Sequence, residues 1–180
     1  MTMTDDATFP ETGVVRFERV FNAPVERVWA YITEEDLRKT WLAAGRFDLV
    51  PGGRATLLYD NANITDEPQG GDDTFEPHVE ENTIIVVDPP RLLSYTWGEW
   101  FGQNGVVSYE LSPEGDGTRL VLTHSRISSV ELSVDVARGW HVQLDVLASR
   151  IDGTPLPHLW ERFEEMGAHY AAMSSARTTA

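Results

Sequence analysis

The feature that most restricts the fold is a long helical segment late in the chain, whose apolar residues lie on both of its sides. In SVDVARGWHVQLDVLASRIDG (133–153) the apolar residues recur at helical spacing, and Gly153 follows as a stop. One apolar stripe consists of Trp140, Leu144, Leu147 and Ile151. Val142 and Val146 lie on the opposite side. Because a helix that is apolar on both sides is usually covered on both, this segment predicts a central helix between two layers.

The chain before this helix alternates apolar and polar residues with a period of two, which predicts β-strands. The alternating segments are VVRFERVF (14–21), PGGRATLLYD (51–60), VEENTIIVVDPPRLLSYTWG (79–98), VVSYEL (106–111) and TRLVLTHS (118–125). The third contains two strands joined across Asp88-Pro89-Pro90. Their short connections predict antiparallel hairpins, which a long amphipathic helix can cover on one face.

Residues 22–42, NAPVERVWAYITEEDLRKTWL, interrupt the strands with two short helices. Asn22 is the expected cap of the first helix, and Thr33 with Asp36 is expected to form a capping box for the second. Two tryptophans lie in this stretch. We assign Trp29 to packing, beside Val28 and Ile32 on the first helix.

The composition excludes several classes of function. Acidic residues outnumber basic ones by 29 to 14, and the net charge of −15 opposes binding to nucleic acid or to anionic membranes. The chain has no cysteine, so disulfides and thiolate chemistry are excluded. An acidic, polar start and the absence of a long apolar run predict neither a signal peptide nor a membrane span, and we expect a cytoplasmic protein without a cofactor.

The length of 180 residues fits one domain. We predict a disordered leader at 1–12, the main domain at 13–153, an additional C-terminal helix at 154–172 and a disordered tail at 173–180. The additional helix could cover the second side of the long helix within its own chain or across a homodimer. The polar, acidic loop at 60–76 is either a lid over a cavity or a solvent-exposed surface loop.

Five blocks in order carry a resemblance to a known family. They are VRFERVFNAPVERVW (15–29), PGGRATLLY (51–59), VVDPPRLLSYTW (86–97), GTRLVLTHS (117–125) and GWHVQLDVLASRI (139–151). Together they resemble the family named for activators of heat-shock-protein-90 ATPase, within the START-like (SRPBCC, or Bet v-like) superfamily. The loop at 60–76 is longer and more acidic than this family leads us to expect, and the helix after 154 is an addition.

The resemblance implies an α+β helix-grip fold, in which a curved antiparallel sheet wraps around the long helix and leaves an apolar cavity between them. Ligand sites are mostly apolar with a few polar tips, which the tyrosines and one histidine would supply here. The expected ligand-binding residues are Trp41, Leu57, Tyr59, Tyr95, Trp97, Tyr109, Leu122, His124, Trp140, Leu144 and Leu147.

Three groups of polar residues are candidate chemical sites. His124 shares its strand face with Leu120 and Leu122, so we expect it to point inward near a strand end. It is either a capped or solvent-edge histidine or a candidate for acid–base catalysis. His141 and Asp145 are four residues apart on the long helix, and we expect an exposed pair at its flank. His78 with Glu80 and Glu81 lacks a second histidine and falls on two strand faces, so no metal site is predicted.

The predicted fold and its candidate residues allow three functions. The leading one is a binding protein that holds a small apolar or aromatic ligand between sheet and helix. The alternative is a cyclase- or hydrolase-like enzyme of the same fold that acts on a polyketide-like substrate. The third is a chaperone ATPase co-factor, which is disfavoured because only one domain is seen.

Overall fold

The computed structural model describes residues 5–68, 76–98 and 105–178. Six strands and four α-helices follow one another in the order expected from the sequence. They are β1 (Val15–Phe21), α1 (Val25–Thr33), α2 (Glu35–Arg38), β2 (Arg54–Tyr59), a 3-10 turn (Asn61–Asn63), β3 (His78–Asp88), β4 (Leu92–Trp97), β5 (Gly105–Glu114), β6 (Gly117–Ser125), α3 (Val130–Asp152) and α4 (Leu159–Thr178). This is the α+β helix-grip architecture predicted above.

The sheet is antiparallel throughout, in the order β1-β6-β5-β4-β3-β2. From β2 to β6 each strand pairs with its neighbour along the chain, and β1 closes against β6. Because α1 and α2 separate β1 from β2, these two strands lie at opposite edges. The tightest hairpin joins β5 to β6 through Gly115, whose φ of 57° is in the left-handed region that glycine favours.

The core lies between the sheet and α3. In β1 the alternation holds residue by residue, with Val15, Phe17, Arg19 and Phe21 buried and Arg16, Glu18 and Val20 more exposed. In β6 every second residue is likewise buried, including Leu120 and Leu122. The period-two pattern read from the sequence therefore marks the face that packs on α3.

Helix α3 has a well-defined start and end. The Ser129 hydroxyl accepts a hydrogen bond from the Leu132 N–H at 3.1 Å, and Gly153 ends the helix with a φ of 68°. Leu144 and Leu147 are buried on one side, and Val142 and Val146 on the other. Helix α4 packs along α3, so the cover on the second side comes from the same chain. The homodimer through this helix stays a prediction.

The caps of the two short helices differ from the expectation. Pro24 precedes α1 and Glu34 precedes α2, and neither helix has a side-chain cap. The Thr33 hydroxyl instead donates to the Trp29 carbonyl at 2.9 Å. Thr33 still belongs to the last turn of α1, where its hydroxyl can reach the carbonyl four residues earlier.

The ordered elements at both ends of the chain also have other boundaries than those predicted. Within the predicted leader, Ala7 is buried and its N–H donates to the Tyr170 hydroxyl at 2.8 Å, while Thr8 bridges to Arg16. Helix α4 continues to Thr178 rather than ending at 172. The sequence pattern did not show that Tyr170 offers the leader a buried hydrogen-bond partner. None of the helices in the described ranges is both long and apolar enough to cross a bilayer.

The two tryptophans of the first helical stretch have different surroundings. Trp41 is 0% exposed and its indole N–H donates to the Tyr31 carbonyl at 2.8 Å. Trp29 is only partly buried against the same core. Trp41 is therefore a central packing residue of this end of the fold.

We expect Trp41→Ala to lower the free energy of unfolding by about 3–5 kcal/mol, because it removes a fully buried indole and leaves a cavity. Trp29→Ala is the matched control and should cost less than half as much. Urea unfolding followed by circular dichroism measures both values. Equal losses in the two variants would contradict this assignment.

Candidate functional site

A pocket of about 710 Å³ lies at one end of the sheet. The ends of β2, β4 and β6 and the start of β3 meet there, because neighbouring strands run in opposite directions. These strand ends contribute Tyr59, His78, Glu80, Trp97 and His124. The other wall comes from Leu159, Trp160 and Phe163 at the start of α4 and from seven residues of α3: Asp135, Val136, Arg138, Gly139, Trp140, Val142 and Gln143.

Aromatic rings form a continuous wall along the pocket. The Trp97 ring centroid lies 5.0 Å from that of Trp140, 5.5 Å from that of His124 and 6.1 Å from that of Tyr59. The Tyr59 ring in turn stacks on His78 at 4.9 Å. Rings at these distances and tilts attract one another, so the wall is held in shape before any ligand arrives.

The structure brings together four of the eleven residues expected to bind a ligand. Tyr59, Trp97, His124 and Trp140 line the pocket. The other seven are buried in the core and are not among the described lining residues: Trp41, Leu57, Tyr95, Tyr109, Leu122, Leu144 and Leu147. Deeper in the grip, side chains meet and fill the space, as when the Tyr95 hydroxyl bonds the Tyr109 hydroxyl at 3.0 Å.

Other lining residues were missed by the sequence analysis. Trp160 and Phe163 come from α4, whose apolar residues were seen in the sequence but could not be placed on a particular neighbour. Gln143 lies on α3 beside the predicted stripe, whereas Arg138 lies on the side of Val142, one turn earlier. Arg138 pairs with Asp135 at 3.0 Å and its guanidinium lies 4.2 Å from the Phe163 ring centroid. The sequence did contain one indication of this contribution: the second apolar side of α3 predicts that another element packs on it.

His124 has one defined protonation state in this pocket. It is 1% exposed, and burial lowers its pKa to about 4. Its Nδ1 accepts a hydrogen bond from the Trp140 indole N–H at 3.1 Å. Since an indole nitrogen can only donate, Nδ1 carries no proton and the proton of the neutral ring is on Nε2. His124 is therefore a neutral hydrogen-bond donor through Nε2.

Several buried polar atoms of pocket residues have no hydrogen-bond partner within the described ranges. They are Tyr59 Oη, Glu80 Oε2, Trp97 Nε1, His124 Nε2, Arg138 Nε and Gln143 Oε1. An unmatched buried polar atom costs about 1–3 kcal/mol, so such atoms are rare in folded proteins unless something else engages them. Their concentration around one pocket favours a partner that enters the pocket.

Burial also shifts the pKa of two further lining residues. It raises the pKa of the Glu80 carboxyl above its usual range, and that of the Tyr59 hydroxyl well above its own. Tyr59 is accordingly protonated at neutral pH. Glu80 Oε1 lies 3.9 Å from His78 Nε2. Within the described residues, no group of three His, Asp or Glu side chains is arranged to hold a metal ion.

The loop at 60–76 reaches the pocket at both of its ends. Asn61 and Glu76 are lining residues, whereas residues 69–75 lie outside the described part of the chain. Glu67 ties the loop to α4: Oε2 accepts from the Leu159 N–H at 2.9 Å, and Oε1 lies 2.7 Å from His158 Nδ1. A carboxylate at the start of a helix is favourably placed. The loop therefore positions the end of α4 that lines the pocket.

The pair of His141 and Asp145 is not exposed as expected. His141 is 2% exposed, with Nδ1 2.8 Å from the Tyr170 hydroxyl and Nε2 3.0 Å from Arg162. Arg162 also bonds Asp145 at 2.8 Å, and Asp145 lies 3.6 Å from His141. The expectation was wrong because α4 covers this flank of α3. The cluster joins the two helices and lies outside the pocket lining.

We expect His124 to make the protein less stable as pH falls from about 6.5 to about 4. The unfolded chain takes up a proton near 6.5, whereas the buried ring does so only near 4, so stability is present above this window and is lost within it. Replacement by glutamine removes this effect. The stability lost in His124→Gln should therefore be about 2 kcal/mol smaller near pH 5 than near pH 7.

Urea unfolding at the two pH values measures this difference. Leu122→Val is a matched control on the same strand, because it perturbs the core without removing a titrating group. Its effect should be the same at both pH values. A His124→Gln effect that is likewise independent of pH would show that His124 does not have the lowered pKa.

Comparison with known proteins agrees with this architecture. Residues 22–152 match the family described as Activator of Hsp90 ATPase homolog 1-like protein. No curated protein matches the chain. Among solved structures, the chain is similar to the protein encoded by the gene BPP1335 from Bordetella parapertussis, with 35% identity over 95% of this chain and 94% of that chain and a TM-score of 0.79.

Two further structures are similar. The crystal structure of CalU16 from Micromonospora echinospora shares 25% identity over 94% of this chain and 95% of its own, with a TM-score of 0.67. The protein MLL2253 from Mesorhizobium loti also shares 25% identity, over 79% of this chain and 99% of its own, with a TM-score of 0.63. The similarity to BPP1335 and CalU16 extends over nearly the whole chain, including residues outside 22–152.

Proposed function

This chain belongs to the Activator of Hsp90 ATPase homolog 1-like family, and we propose that it is a binding protein for a small apolar or aromatic molecule. The ligand occupies the pocket between the strand ends, α3 and α4. Ligand pockets of proteins are typically about 300–1,000 Å³ in volume and apolar with a few polar groups. The pocket here, at about 710 Å³, falls within this range.

The observation that carries the proposal is the combination of aromatic walls and unmatched polar atoms in one place. Trp97, Trp140, Trp160 and Phe163 offer ring faces and edges to an apolar body. His124 and Trp97 contribute buried nitrogen atoms that lack a partner within the described ranges. A filled protein core would not leave these rings next to open volume, and it rarely leaves buried polar atoms unmatched.

The state of His124 favours binding over acid–base catalysis at this position. A general base needs a free lone pair near neutral pH, but Nδ1 is occupied by Trp140 and Nε2 carries the proton. A general acid needs a pKa near the working pH, whereas burial lowers that of His124 to about 4. The cyclase- or hydrolase-like alternative therefore gains no support from this residue, and the chaperone co-factor function stays a prediction.

Gly139 allows the pocket to be filled without disturbing the core. It lies on α3 and lines the pocket, and a Cβ built on it meets no atom of the described residues within 4 Å. We expect Gly139→Leu to weaken binding of the neutral fluorescent probe N-phenyl-1-naphthylamine by roughly tenfold or more, because the new side chain occupies ligand volume. Stability should not fall, since glycine is a poor residue within a helix.

Fluorescence titration measures the affinity, and thermal unfolding checks the fold. Gly139→Ala should show the gain in helix stability with a smaller loss of affinity. Ser149→Leu, on the same helix but outside the pocket lining, should bind the probe as the unchanged protein does. Saturable probe binding that Gly139→Leu leaves unaltered would place the ligand elsewhere, and no probe binding by the unchanged protein would count against the proposed function.

A further inference from the structure

We infer that the ligand is an aromatic compound bearing a neutral carbonyl oxygen, and that the N–H groups of Trp97 and His124 bind this oxygen. The inference rests on the proposed function and names the chemical class of its ligand. It follows from the chemistry of two neighbouring donors, from a glycine that packs against them, and from the charges that line the pocket.

The two donors are buried and unmatched. Trp97 is 6% exposed and His124 is 1% exposed, with their ring centroids 5.5 Å apart. Neither Trp97 Nε1 nor His124 Nε2 has a hydrogen-bond partner within the described ranges. An indole nitrogen only donates, and Trp140 fixes His124 with its proton on Nε2. A ligand group that satisfies both must be an acceptor.

Gly105 packs closely against both donor residues. It begins β5, between the end of β4 that carries Trp97 and the end of β6 that carries His124. A Cβ at this position would lie 3.1 Å from His124 Nε2 and 3.4 Å from Trp97 Cβ. Any residue other than glycine would therefore crowd the protonated nitrogen of His124.

The charges of the lining residues favour a neutral acceptor over a carboxylate. Glu76, Glu80 and Asp135 line the pocket and bring negative charge. Arg138 is the one Lys or Arg among the described lining residues, and Asp135 already pairs with it at 3.0 Å. An anionic ligand would be repelled here without a free cation to offset the repulsion. A ketone, quinone or amide oxygen accepts two hydrogen bonds without that repulsion.

Three naphthalenes of similar shape separate these possibilities. They are 2-ethylnaphthalene, which has no acceptor, 2-acetylnaphthalene, which has a neutral carbonyl, and 2-naphthoate, which has a carboxylate. Displacement of N-phenyl-1-naphthylamine from the unchanged protein gives their affinities. We expect 2-acetylnaphthalene to bind roughly tenfold more tightly than 2-ethylnaphthalene, as two modest net hydrogen bonds would give. The carboxylate should bind more weakly than the ketone.

Matched variants test the donors themselves. Trp97→Phe keeps a ring but removes the free N–H, and should reduce the preference for the ketone over the hydrocarbon by about threefold to tenfold. Trp29→Phe is the control, because it makes the same replacement at an indole outside the pocket lining. The control should leave the preference unchanged. Gly105→Ala should reduce it in the same direction as Trp97→Phe.

Infrared spectroscopy provides a readout that does not depend on affinity. The carbonyl band of bound 2-acetylnaphthalene should move to higher frequency in Trp97→Phe than in the unchanged protein, because a hydrogen bond to the oxygen is lost. Circular dichroism confirms that each variant is folded. If Trp97→Phe does not fold, the inference is tested in two other ways. One is the preference of Gly105→Ala for the ketone over the hydrocarbon, and the other is the carbonyl band of 2-acetylnaphthalene bound to the unchanged protein.

The outcomes separate the inference from the proposal on which it rests. If the ketone and the hydrocarbon bind equally well, the inference is wrong and the proposed function stands. If 2-naphthoate binds most tightly, the acceptor is not neutral and the inference is also wrong. If neither the probe nor any naphthalene binds, the proposed function falls and the inference falls with it.

Discussion

The burial of α3 on both sides is the constraint on which the rest of the structure depends. Each fully buried leucine or valine of this helix stabilises the fold by about 1.5–3 kcal/mol relative to an exposed one. The sheet supplies the cover for Leu144 and Leu147, and α4 supplies it for the other side, where Val142 and Val146 lie. Helix α4 cannot be removed without exposing one side of α3. It is therefore an integral layer of the domain, although it lies beyond the family match at 22–152.

The same packing explains why the pocket lies at one end of the grip. In the core, Tyr95 and Tyr109 meet through their hydroxyls. Toward the strand ends, contacts such as the Trp97–Trp140 ring pair join the sheet to α3 beside the pocket. There α4 and the loop held by Glu67 complete the wall. The site is thus assembled from parts that are distant in sequence.

Within that site, one hydrogen bond determines the chemistry that is available. The Trp140 N–H fixes the proton of His124 on Nε2, and burial keeps the ring neutral. A residue type usually associated with acid–base catalysis becomes a directed donor. Gly105 leaves that donor uncrowded. These features together support recognition of an oxygen atom on an otherwise apolar ligand.

The sequence by itself determined the order and type of the elements, because the periods of two and 3.6 reflect which residues face the core. It also placed His124 inward correctly, since its strand parity matches Leu120 and Leu122. Only the tertiary structure decided which inward residues line open volume. Trp41 and Tyr109 have the same apolar character as Trp140, and only packing separates the core from the pocket wall. The burial of His141 and the contribution of Trp160 and Phe163 depend on where α4 docks, and this contact joins segments whose spacing along the chain carries no periodic signal.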